Sequence, residues 1–197
     1  PFRDAATATV LAYENDEVDI EVVDINDLDR IQRHPNLGKE LVKSPGRTSW
    51  YLFFKMLEPP FDNIRVREAF ARAIDREAIC RYVLRETAVP AYSMMPPDFK
   101  EYNGEAMKPY QAFDPAKAKK LLREAGFPNG RGFPRPEMWI RAPTPSLKMV
   151  GVAIQSMLKE NLGVEVTIRT ADRTAYMSKL YNWEVDFGFI RFVADYV

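Results

Sequence analysis

The residues able to carry out chemistry are few and badly spaced for it. Acyl transfer by a serine or cysteine nucleophile needs a positioned imidazole, and the single histidine, His34, is followed by Pro35 in a polar stretch that reads as surface. The single cysteine, Cys80, lies on a segment of helical spacing, where a small core residue is the expectation rather than a reactive thiol, and an internal disulfide is impossible. No cysteine and histidine cluster has metal-ligand spacing. The segment Gly126-Phe127-Pro128-Asn129-Gly130-Arg131-Gly132 has three glycines but neither the dinucleotide fingerprint nor a Gly-Lys-Ser/Thr phosphate loop, so a plain turn is expected. Lys117, Lys119, Lys120 and Arg123 gather on one helix, with Glu124 beside them, as a solvated face would. With 28 acidic residues, proximity in sequence nominates no general acid and base. No cofactor is implied, and the expectation is a protein that is not an enzyme.

The bulk properties point the same way. The 197 residues are 46% hydrophobic and 12% aromatic, enough to bury a sizeable core, and 28 basic residues balance the 28 acidic ones. Nucleic acid is therefore not an expected partner, since no net positive field would draw a polyanion. The apolar runs are only a few residues long, far below the roughly 20 that span a bilayer, so the chain is not expected to cross one. It opens on Pro1-Phe2-Arg3-Asp4, without an initiator Met or signal-peptide zones, and an upstream segment removed by processing or design is expected.

The elements that must position any site follow from periodicity and caps. Asp4 is placed to cap a helix through Ala5 to Tyr13, and Val18, Ile20 and Val22 alternate with Asp19, Glu21 and Val23 as in a strand. A second helix is expected after Asp24 or Asn26. Trp50 to Phe54 is a continuous apolar run, which predicts a central strand buried on both faces. Val66, Ala69, Phe70, Ala73 and Ile74 recur at helical spacing, and Asp75 is placed to cap a second helix carrying Ile79, Tyr82 and Val83. Three prolines between Val89 and Pro97 predict an extended strap.

Asp114-Pro115 caps a helix whose apolar face is Ala118, Leu121, Leu122 and Ala125, ending at Gly126. A loop over 127–136 precedes a short strand at Met138 to Arg141, and Thr144-Pro145 opens a helix on Leu147, Val150, Ile154, Leu158 and Leu162. After Gly163 come a strand on Val164, Val166 and Ile168, a helix capped by Asp172, and a strand on Val185, Phe187 and Phe189. Alternating strands and helices predict an α/β sheet with covering helices.

Particular segments then narrow the reading. Pro60-Phe61-Asp62-Asn63-Ile64-Arg65-Val66-Arg67-Glu68-Ala69-Phe70, running on through Ala73-Ile74-Asp75-Arg76 to Ile79, resembles the signature of the family-5 solute-binding proteins of ABC importers, which include oligopeptide, dipeptide and nickel receptors. Asn15 to Ile20, Ala91 to Pro97, Phe113 to Ala118 with Gly126-Phe127, Ile154 to Val166 and Val185 to Gly188 agree in order.

The resemblance implies an α/β lobe of the type II periplasmic-binding-protein kind, with a mixed sheet and covering helices. Residues 1–197 would be most of the second, C-terminal lobe of a two-lobed protein, with the first lobe and the C-terminal remainder lying outside it. It implies an extracytoplasmic or periplasmic receptor, lipid-anchored or free, that closes on a solute and delivers it to the membrane subunits of an ABC permease. In peptide-binding relatives a tryptophan followed three residues later by an aspartate lines the cleft, and the aspartate pairs with the ligand's terminal ammonium. The matching positions are Phe192 and Asp195, with Arg191 and Val193 beside a ligand that pairs with main chain. Tyr176 and Tyr196 match positions lining the cleft in the nickel receptor, with packing as the competing reading. Peptides, metal chelates, opines, sugars and antibiotics are all bound on this scaffold, so the fold does not choose the solute. A sensory or chaperone-like module using the same fold is the alternative, and a hydrolase a distant third.

Overall fold

The computed structural model describes residues 6–44, 46–97, 99–142 and 144–193. It divides into two compact units, Pro1–Pro45 and Gly46–Val197. The first carries α1 (Ala6–Glu14), α2 (Leu28–Arg33) and α3 (Leu37–Glu40), with Val10, Ala12, Ile25, Leu28 and Ile31 buried. Arg30 pairs with Glu14 at 2.7 Å and the Tyr13 hydroxyl donates to Glu40 at 2.9 Å. The strand expected on Val18, Ile20 and Val22 is absent: Ile20 and Val22 are 86% and 80% exposed. Alternation yields a strand only where a neighbour takes up the backbone hydrogen bonds, and no described residue pairs with this segment.

The second unit is built on a four-stranded mixed sheet of order β1-β4-β2-β3, with β1 at Thr48–Phe54, β2 at Glu137–Arg141, β3 at Thr167–Ala171 and β4 at Phe187–Val193. β4 runs antiparallel to β1 and parallel to β2, and β2 runs parallel to β3. The central strand is thus β4, flanked by β2, while β1 lies at an edge. This corrects the reading of Trp50 to Phe54: the apolar run arises because Leu52 and Phe54 face the core while Tyr51 and Phe53 are half-buried on the other face.

One face of the sheet packs on α8 (Pro145–Leu162) and, through the Phe70 ring, on α4 (Ile64–Ala73), with α7 (Pro115–Glu124) packed against both helices. Asp114 accepts from the Lys117 N–H ahead of Pro115, as the sequence predicts, and Asn63, which the sequence reading does not nominate, caps α4 by accepting from the Arg65 N–H. Gly163, at φ +71°, ends α8 in the left-handed conformation that glycine takes without strain. Phe54, Phe61, Phe70 and Phe187 form the centre of the core, with Phe61 and Phe70 edge-on at 5.4 Å between centroids. Asp75 caps α5 (Arg76–Ala78), which passes into a π-helical turn at Ile79–Val83.

A helix not expected from sequence, α6 (Gly104–Gln111), holds Pro109 in its last turn. Arg72, 4% exposed, fixes it by donating to the Pro109 carbonyl at 2.7 Å while pairing with Glu68 at 2.8 Å. α9 (Arg173–Tyr181), capped by Asp172, covers the opposite face of the sheet, where Trp139 and Gly188 point. Val164 and Val166 are buried, but β3 itself starts at Thr167. Among the described residues no helix is long and apolar enough to cross a membrane.

Candidate ligand-binding strand exit

β4 changes character along its length. Lys55 N–H donates to the Asp186 carbonyl at 2.7 Å, which fixes the alternation: the backbone groups of Asp186, Gly188, Ile190 and Phe192 face β1, and those of Phe187, Phe189, Arg191 and Val193 face the other edge. On that other edge, pairing with β2 covers only Met138 with Phe187 and Trp139 with Gly188. A side chain at 188 would bring its Cβ within 2.6 Å of the Trp139 carbonyl, so glycine permits this approach.

Beyond that rung the first free acceptor is the Phe189 carbonyl, and the Tyr176 hydroxyl, from α9, donates to it. Tyr176 is only 2% exposed, and burial pushes its phenol up to about 12, with Arg141 acting weakly the other way. It is thus a buried positioning residue that closes one carbonyl of β4 and anchors α9 to the strand. The resemblance left Tyr176 open between packing and ligand contact; here the side chain is inside the protein.

The next outward-facing backbone groups belong to Arg191 and Val193. Neither has a ladder partner on that edge among the described residues, and both side chains are exposed. Arg191 pairs across the ladder with Trp50, and its guanidinium carbon lies 5.8 Å from the centre of the indole ring. Trp50 was not singled out as a site residue in the sequence, because its neighbour in space is set by the β1–β4 register. Phe192 is in β4 opposite Ser49; its side chain, together with Asp195 and Tyr196, lies outside the described residues.

The other candidates occupy ordinary structural positions. Burial raises the Cys80 thiol above its usual range, away from reactivity. His34 Nδ1 accepts from the Asn36 and Leu37 N–H groups at 3.4 and 3.2 Å, at the start of α3. Lys117 pairs with Glu68 at 3.2 Å and Lys120 approaches Glu124 at 4.0 Å, so half the basic cluster is neutralised. Gly126, Gly130 and Gly132 all take positive φ, in turns. Among the described residues no group of three histidine, cysteine or acidic side chains is arranged to hold a metal ion.

What remains is an open strand edge at the carboxyl ends of two parallel strands, a place where α/β sheets bind ligands in general. Several known proteins are similar to this chain. Heme-binding protein A of Haemophilus influenzae is 30% identical over 175 residues, which are 87% of this chain and 30% of that protein. The peptide-bound periplasmic binding protein DppA of Helicobacter pylori superposes with a TM-score of 0.79 at 27% identity, over 96% of this chain and 35% of that one. NikA of Brucella suis, solved with Fe(III)-EDTA, gives a TM-score of 0.78 at 21% identity, covering 98% of this chain and 41% of that one, and supports the fold. The chain thus spans well under half the length of these relatives. The profile of the bacterial extracellular solute-binding proteins, family 5 (middle region), matches residues 1–197 throughout. The type II periplasmic-binding-protein fold expected from the sequence is therefore the observed one, and the chain belongs to the family-5 bacterial extracellular solute-binding proteins.

Proposed function

We propose that this chain forms most of one lobe, and one wall of the ligand cleft, in a two-lobed extracytoplasmic receptor that binds a peptide or similar small solute and passes it to an ABC permease. The observation that carries the reading is the edge of β4 at Arg191 and Val193, unpaired among the described residues, which offers main-chain hydrogen bonds to an extended ligand whatever its side chains. The peptide bound to the DppA relative supports a peptide, and the heme named for the Haemophilus influenzae relative supports small solutes more broadly. The reading is of a binding lobe and not a catalyst, supported by the burial of Cys80 and by His34 accepting from backbone amides. Turnover of an ester, peptide or glycoside by the whole protein would contradict that.

Asp195, four residues beyond Arg191, is proposed to pair with the ligand's ammonium group. The test is calorimetry of the whole protein against a library of short peptides, metal chelates and sugars, followed by Asp195→Asn on the best binder. Loss of about 1.4 kcal/mol, a factor of ten, is expected for an amino-terminal ligand. Unchanged affinity removes Asp195 from the site, and silence across the library removes the receptor reading.

A further inference from the structure

We propose that Arg191 makes this strand exit selective for a ligand with a carboxylate side chain at the position facing it, so that the favoured solutes are extended peptides containing Asp or Glu. The inference rests on the receptor reading above and adds a substrate class to it.

Three observations carry it. First, Arg191 and Trp50 form a non-hydrogen-bonded pair of the antiparallel ladder, the kind in which side chains stand closest, and the guanidinium lies over the indole at 5.8 Å. A guanidinium in a cation–π contact retains N–H donors that a carboxylate can take. Second, Arg191 has no acidic partner among the described residues, whereas Arg30, Arg72 and Arg169 hold Glu14, Glu68 and Glu137 at 2.7, 2.8 and 2.8 Å. Third, the Arg191 side chain lies one rung past Leu52 and Phe189 on the core-facing side of the sheet, at the point where the core gives way to solvent: Phe189 is 6% exposed and Trp50 is 39% exposed.

A ligand strand added to the open edge would extend that row, from Trp50 through Arg191 to the ligand residue. Its side chain would stand on the same face as Arg191 with Cβ atoms about 5 Å apart. A carboxylate there meets the N–H donors of a guanidinium already held by the ring, while a lysine there meets a like charge.

The experiment uses the whole protein and one extended peptide that it binds, with Asp, Asn and Lys placed in turn at each position, titrated at low and at moderate salt. At one position Asp is expected to bind about tenfold more tightly than Asn, and Lys more weakly than either, with the ratio shrinking as salt rises. In Arg191→Gln the Asp-to-Asn ratio is expected to fall to near one, and in Arg191→Lys to stay above it. A wild-type protein that binds the Asp and Asn peptides equally at every position overturns the selectivity while leaving the receptor reading intact. So does an Arg191→Gln protein that keeps the ratio but loses affinity for all peptides alike, since that outcome assigns Arg191 a packing role over Trp50. A protein that binds no peptide removes both inferences together.

Discussion

At Phe187 and Gly188, β4 has a strand on each side, with aromatic rings packed against Phe187, whereas at Arg191 and Val193 only β1 lies beside it among the described residues and both side chains are exposed. The same strand is thus a core element in its first half and, among the described residues, an open edge in its second. Tyr176 marks the boundary, because its hydroxyl supplies the hydrogen bond that β2 no longer gives. A binding site of this kind needs no special catalytic residues. It needs a rigid strand that outruns its neighbour, held so firmly at one end that the free end keeps its shape.

Substitutions along the strand should separate the halves. Phe187→Ala empties the centre of the aromatic cluster, and a loss of about 3–5 kcal/mol in denaturant unfolding of the whole protein is expected. Tyr176→Phe leaves the Phe189 carbonyl without its buried donor, at a cost of about 1–3 kcal/mol. The same variant has a pH signature. A phenol raised to about 12 in the folded protein keeps its proton after the unfolded chain, near the ordinary 10, has lost it. The folded state then holds more protons, so its stability is full below pH 10 and falls as pH rises from about 10 to 12. Alkaline unfolding of Tyr176→Phe should lack that component; an identical alkaline fall in both proteins would show that another group is responsible. At the exposed end, Arg191→Met removes a cation–π contact worth about 0.5–1 kcal/mol and should leave unfolding almost unchanged. A loss there as large as at Phe187 would erase the distinction between core half and open half.

Much of this arrangement is legible in the sequence wherever the signal is local. Asn63, Asp75, Asp114 and Asp172 all accept from helix N–H groups; three of them were read in advance as caps, and Gly163 as a stop. The misreadings are non-local. Trp50 to Phe54 resembles a doubly buried strand because aromatic side chains fill a half-covered face as readily as a covered one. Val18 to Val22 carries strand alternation without a strand partner among the described residues. α6 escaped notice because Pro109 suggests a break, while its stabilising contact comes from Arg72, far away in sequence. At the proposed site, family resemblance points to the strand exit, but the position of Trp50 beside Arg191 and the burial of Tyr176 depend on register and packing.

The most direct test of the open strand exit is residue-resolved amide hydrogen exchange on the whole protein, with and without a saturating peptide identified by calorimetry. The alternation of β4 makes a pattern: Ile190 and Phe192 donate toward β1 and should exchange slowly in both states, while Arg191 and Val193 face the open edge and should exchange fast until ligand is added. Ligand-dependent slowing confined to Arg191 and Val193 within this strand is the predicted result. Bound peptide that leaves the exchange of both amides unchanged would contradict the assignment of this edge as the ligand wall.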